Sequence, residues 1–268
     1  MFGNIYNDSV PGQIYHVHLE GGKTLLADPP EQFSTTIFYY WLLNIEVPEM
    51  DLEVIPDGAI DLVVSPSVPN FSAVYPPAIN KFTIPLKGPI YYAGISFEPE
   101  AAQQFFAKDM KFLSNLEPGI STTQALDLER LASKIQGVTD IKNIQSIFNQ
   151  ELKEKKFQPT KRYGQSAYQF FVENLQSSGK LEVAQRLGVS ERQFRRSMHD
   201  ISGLSPKKVQ RIIRLQQLLH ELFNSQNLVH SEDGYYDDSH RIKETKELIG
   251  KTYKEIQEMA EIYNKTKL

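Results

Sequence analysis

Cysteine is absent from the 268 residues. That excludes a disulfide framework, thiol catalysis and cysteine-ligated zinc or iron–sulfur sites. It also suits a reducing compartment, so a cytoplasmic protein is expected. Long apolar runs are missing too. The longest candidate, Ile37 to Ile45, is interrupted at Asn44 and is too short to span a bilayer. The opening, MFGNIYNDSV, lacks the basic-then-apolar layout of a secretory signal. No membrane partner is expected. There is no Walker loop, no dinucleotide fingerprint and no Gly-x-Ser-x-Gly elbow. The expectation is therefore a protein without cofactor, resident metal or catalytic role.

What is present is apolar material for a core. Hydrophobic residues make up 40% of the chain and charged residues 23%, near the soluble globular average. The length is comfortable for two domains. A formal net charge of −4 argues, taken whole, against a nucleic-acid partner. Divided, it says something else. Residues 1–150 carry 8 basic against 17 acidic side chains, a net of −9, whereas residues 151–268 carry 21 against 16, a net of +5. Two halves of opposite sign suggest separate roles, one of them at an anionic surface. Proline divides the chain as well, with twelve of fifteen before residue 100. That density punctuates short strands and excludes long helices.

The N-terminal half reads as a small β domain. Ile14–Leu19 alternates in polarity, and Thr36–Val47 is rich in β-branched and aromatic residues. Asp51–Val64 holds two short strands around Pro56-Asp57-Gly58, a turn signal whose glycine is free to take a positive φ. Lys81–Leu86 and Ile90–Phe97 alternate again. Such spacing points to a sandwich or barrel with antiparallel neighbours. Glu98-Pro99-Glu100 then opens a helix. His16 and His18 share a strand face and are compatible with metal binding or with an ordinary solvent face. Asp57, Asp61 and Glu53 are conceivable acid/base groups, but Asp57 is better explained by its turn and Asp61 by the solvent face of a strand. Phe38, Tyr39, Tyr40, Trp41, Tyr91 and Tyr92 are candidates for an effector pocket or for core. Amphipathic helices come next over Leu128–Ile135 and, behind Thr139/Asp140, over Ile141–Leu152. Lys153–Lys161 reads as a helix end and linker.

The C-terminal half is helical. Tyr168, Phe171, Val172 and Leu175 form one stripe. The segment Leu181–Ile201 then presents a short helix with Leu181, Val183, Ala184 and Leu187 inward. Gly188 supplies a turn and Val189 a buried plug. Ser190 and Gln193 form a capping box. Phe194 and Met198 are the inward residues of the second helix. A small residue at the crossing, a glycine turn, an apolar plug and a capped basic helix in this order define a helix-turn-helix. Glu191, Arg192, Arg195 and Arg196 lie near the start of that helix and are candidates for base contacts. Lys180, Lys207, Lys208, Arg211 and Arg214 are candidates for phosphate contacts.

These residues carry a resemblance. Leu181–Leu215, ending GLSPKKVQRIIRL, looks like the first helix-turn-helix of the AraC/XylS transcription regulators. The Gly203-Leu204-Ser205-Pro206 turn and the long Lys207–Phe223 helix are characteristic of that family. IPDGAIDLVV and YYAGISFEPEAAQQFF resemble a β-rich domain often found ahead of AraC-type DNA-binding regions. The resemblance implies two helix-turn-helix units joined by the long helix and entering successive major-groove faces. It also implies double-stranded DNA as partner, a small-molecule effector and contact with RNA polymerase; a homodimer is expected because a chain with one intact unit reads only one groove segment. Gly234 to His240 is close to the family's second turn, which makes Asp238, Ser239, His240 and Lys243 second-unit candidates. This unit departs from the pattern. Arg241 and Thr245 stand where the family has buried aromatics, a change that costs about 3–5 kcal/mol unless the site is exposed. Asn224–Asp233 lacks the Ala/Leu pattern of a supporting helix.

The expectation is therefore an α+β protein. A β-barrel or sandwich-like domain with flanking helices occupies residues 1–155, and an all-α helix-turn-helix domain occupies 160–268, degenerate from about 224. The expected function is a sequence-specific regulator. The alternative is an interaction protein with weakened DNA binding that acts through a partner regulator.

Overall fold

The computed structural model describes residues 21–34, 36–114, 128–155, 157, 172, 180–224 and 238–266. The expected strand Ile14–Leu19 with His16 and His18 lies outside them. So do Tyr168, Phe171 and Leu175, most of Lys153–Lys161, and residues 225–237.

The β strands are β1 (Gly22–Ala27), β2 (Ile37–Ile45), β3 (Glu49–Val54), β4 (Ile60–Val64), β5 (Ser72–Tyr75), β6 (Phe82–Lys87) and β7 (Ile90–Phe97). They form a five-stranded antiparallel sheet in the order β1-β2-β7-β4-β5 and a separate ribbon, β3-β6. Alternation sets the two faces of the sheet. Tyr40, Leu42, Leu62, Val64, Ala93, Ile95 and Phe97 point to one side and join the largest core. Tyr39, Trp41, Leu43, Asp61, Val63 and Tyr92 point to the other. The ribbon packs over that second side through Leu52, which meets Leu43 and Ile45.

The expected barrel does not close. Among the described residues β1 pairs only with β2 and β5 only with β4, so the sheet has two open edges. The Pro56-Asp57-Gly58 turn is present, with Gly58 at φ 79°. It does not make a hairpin. β3 pairs with β6, and β4 pairs with β5 and β7, so the turn passes the chain from ribbon to sheet. Strands β1 and β5 were not anticipated. One is GKTLLA and the other only SAVY, both too short or irregular to show a period of two.

Helices α1 (Pro99–Phe106), α2 (Met110–Leu113), α3 (Glu129–Ile135) and α4 (Ile141–Glu154) cover the first face. Pro99 opens α1, where a missing N–H costs nothing. Asp140 caps α4 by accepting from Asn143 N at 2.9 Å. The Tyr40 hydroxyl donates to Asn149 at 2.7 Å and ties α4 to the sheet.

Five more helices complete the described residues: α5 (Lys180–Arg186), α6 (Glu191–Ser202), α7 (Pro206–Asn224), α8 (Asp238–Ile249) and α9 (Tyr253–Thr266). They do not stand apart from the β domain. Val183, Ala184, Phe194, Met198, Leu204 and Ile212 share one apolar cluster with Phe38, Tyr39 and Ala59. Leu215, Leu219, Leu248 and Ile256 share another with Ile55.

Helix α8 docks, although its expected aromatics are missing. Arg241 and Thr245 are buried rather than exposed. The Thr245 hydroxyl donates to Arg241 O at 3.0 Å, and the Arg241 guanidinium lies 4.2 Å from the centre of the Tyr253 ring. Polar pairing replaces the expected apolar plug.

Candidate functional site

The first candidate is the capped basic helix α6. Ser190 Oγ accepts from Gln193 N at 3.2 Å, and Gln193 Oε1 accepts from Ser190 N at 3.0 Å, completing the capping box. Gly188 takes φ 65°, as the turn between α5 and α6 requires. Phe194 and Met198 are buried. Val189 is not the buried plug expected: it is 36% exposed. Its backbone continues the turn by donating to Ala184 O, while the filling is done by Val183, Ala184 and Phe194.

With those residues inward, Glu191, Arg192, Arg195 and Arg196 all reach solvent. Arg195 pairs with Glu191 at 2.9 Å and Arg196 with Asp200 at 3.6 Å, each four residues apart. Exposed pairs of this kind contribute about 0–1 kcal/mol and yield readily to a stronger anion.

The phosphate-contact candidates divide. Lys207 and Lys208 are exposed at the start of α7. Arg211 and Arg214, further along, turn to α8. Arg211 Nε donates to Glu244 at 2.7 Å and its Nη2 to Glu247 at 2.6 Å. Arg214 Nη2 donates to the same Glu244 oxygen at 2.8 Å and to the second oxygen at 2.9 Å. Glu244 is buried between them. Lys180 opens α5, and its side chain is outside the described residues, as are those of Asp238 and His240 at the start of α8. Ser239 and Lys243 are exposed on α8.

The second candidate is a cavity of about 230 Å³ between the sheet and the β3-β6 ribbon. The sequence singled out six aromatics, and three of them, Tyr39, Trp41 and Tyr92, line this space. Phe38 and Tyr40 are core instead. Tyr91 packs at the edge of the main core. Phe71 and Tyr75 complete the aromatic wall and were not anticipated. Trp41 lies flat on β7 where residue 94 is glycine. A Cβ there would meet the indole at 2.2 Å, so only glycine admits it.

Asp61 corrects the sequence reading. It does not lie on a solvent face but lines the cavity. Burial, followed by the repulsion of Asp57, pushes its carboxyl up to about 7. The Ser96 hydroxyl donates to it, and Ser96 and the Trp41 indole pull it partly back down. Asp57 does serve its turn, accepting from Ala59 N at 2.9 Å. It also accepts from the Tyr39 hydroxyl at 3.2 Å. Burial, then Asp57 and Asp61, hold that phenol well above the usual tyrosine range. Glu53 is engaged elsewhere, 2.6 Å from Lys81 and 3.6 Å from Lys251. Its partial burial pushes the carboxyl up, but the two lysines outweigh that and hold it below the usual carboxylate range.

Tyr39 belongs to both candidates. It lines the cavity and also sits in the apolar cluster that carries Phe194 and Met198 of α6. A second link runs through α1, where Gln103 Nε2 donates to Ile201 O of α6 at 2.8 Å.

Residues 26–117 match a family described as a domain of unknown function, DUF6597. No curated protein matches the chain. Two solved structures are similar over 90% of this chain and 98% of theirs, at 9% identity: an apo lysine-to-alanine variant of ToxT from Vibrio cholerae strain SCE256, with a TM-score of 0.40, and ToxT from Vibrio cholerae O395, with 0.38. At those scores the likeness supplies no argument, and the chain's own geometry carries the reading. Among the described residues no helix is long and apolar enough to cross a membrane.

Proposed function

We propose that this chain is a sequence-specific DNA-binding transcription regulator whose β-rich part senses a small molecule. One observation carries the reading. Helix α6 is capped by Ser190 and anchored by Phe194 and Met198, and it presents Arg192, Arg195 and Arg196 to solvent. Arginine at the start of such a helix can meet guanine O6 and N7 bidentately, while Lys207 and Lys208 take phosphates. The net charge of +5 over residues 151–268 supports it. A homodimer would place two α6 helices on a repeated or palindromic site, and RNA polymerase is a further partner on this reading. No catalytic step is assigned.

The test is binding to DNA fragments selected from a random pool. The wild-type chain should retain a specific fragment, with log affinity falling steeply against log salt. Reversing charge in an Arg195→Glu, Arg196→Glu double variant should abolish specific retention. Unchanged specific binding by that variant would refute the role of α6.

The alternative is an interaction protein that acts through a partner regulator. It is favoured by the engagement of Arg211 and Arg214 with Glu244 and Glu247, which leaves α7 with fewer cations facing solvent. Purified protein without DNA preference at low salt, yet retained by another regulator, would support it.

A further inference from the structure

Among the described residues, the cavity beside the sheet is lined by one ionisable acid, Asp61. Its other walls are uncharged and mostly apolar or aromatic, with Tyr39, Trp41, Phe71, Tyr75 and Tyr92 among them beside Thr24. Among the described residues, no Lys, Arg or His lines it. The groups facing Asp61 are Asp57 from the β3–β4 connection, Tyr39 and Trp41 from β2, Tyr75 from β5 and Ser96 from β7. None is cationic. Aromatic faces carry negative quadrupole potential, and a cation against such a face is stabilised further when water is excluded. Each of these features favours positive charge in the cavity and opposes negative charge.

We propose that this cavity binds a small organic cation, an amine whose ammonium group meets Asp61 and whose apolar body lies against Trp41 and the tyrosines. The inference rests on reading the cavity as the effector site, and adds the charge and size of the effector. The size is set by the volume. The cavity measures about 230 Å³. The body of a single-ring amine is of that order. An anionic ligand would set a second negative charge beside Asp61 in an apolar wall, with no counter-charge among the described residues.

Binding of this kind has a pH signature. Burial and Asp57 push the Asp61 carboxyl up to about 7. Binding an ammonium requires the ionised carboxylate, so below that pH the amine must displace a proton. Affinity should fall by about tenfold per pH unit there and level off above.

The test uses the full chain and isothermal titration with benzylamine, 2-phenylethylamine and cyclohexylamine. Benzyl alcohol and phenylacetate serve as neutral and anionic counterparts. Quenching of the single tryptophan, Trp41, gives an independent readout at the wall itself. The amines should bind roughly tenfold or more tighter than the alcohol and the acid. Asp61→Asn, with an unchanged circular dichroism spectrum, should lose that preference. Equal or tighter binding of the alcohol or the acid overturns the proposal. So does amine binding that Asp61→Asn leaves intact. Failure of every amine to bind, with specific DNA retention preserved, overturns it and leaves the regulator reading standing. Amine binding without DNA retention does the reverse.

Discussion

Asp61 shows how one residue's environment escapes a linear reading. An aspartate alternating with Leu62 and Val63 reads as the solvent side of a strand. The geometry differs because a ribbon from elsewhere in the chain, β3-β6, covers that side. Nothing local to Asp61 encodes the cover. The consequence is a testable dependence on pH. The folded carboxyl lies near 7, above its unfolded value of about 3.9. Between those values the folded chain holds more protons than the unfolded chain, so stability is full below the window and declines as pH rises through it. Asp61→Asn should flatten that decline and raise stability at pH 8 by a few kcal/mol, measured by urea unfolding at several pH values. A variant with the wild-type slope would show that Asp61 is not the group responsible. Trp41 was legible as an aromatic, but its need for glycine at 94 was not, because β2 and β7 lie far apart in sequence and adjacent in the sheet.

Elements were more legible than residues where their signals are local. The α6 cap, the α4 cap and the proline at the start of α1 are each written within a few neighbouring positions, and each is found. Val189 was misplaced because its turn is exposed, while the apolar filling comes from across the pair of helices. Helix α8 is the instructive case. Arg241 and Thr245 mark the loss of an apolar plug, and the chain compensates with a buried carboxylate. Glu244 is clasped by Arg211 and Arg214 at 2.7 and 2.8 Å. Removing one partner of a buried pair strands the other charge. The arginines keep some solvent contact, and Arg211 keeps Glu247. Glu244→Gln should therefore cost about 1–3 kcal/mol, at the lower end for a buried ion pair, in the unfolding free energy. A neutral outcome would mean that the Glu244 ion pairs do not hold α8 in place.

At the scale of the whole molecule, the proline distribution follows the secondary structure, since the described strands end at Phe97 and the described elements after it are helices, whereas the change of net charge at residue 150 falls inside α4. They could not show how closely the two parts share a core. Phe38, Tyr39 and Ala59 pack with Phe194 and Met198, and Ile55 packs with Leu215 and Leu248. Gln216 donates to Pro56 O at 2.6 Å, and Lys81 N to Leu248 O at 2.7 Å. Such contacts are non-local and leave no period in the sequence. They predict one cooperative thermal transition with coincident loss of sheet and helix signals, rather than two separable ones. Two resolved calorimetric peaks would contradict the shared core.

That sharing limits what can be recombined. Here a graft of residues 180–266 onto a foreign partner would bare Val183, Phe194 and Met198 where Phe38, Tyr39 and Ala59 now cover them. A working hybrid would have to carry those three positions along with the helices, so the transplantable unit is a surface drawn across the fold and not a stretch of chain.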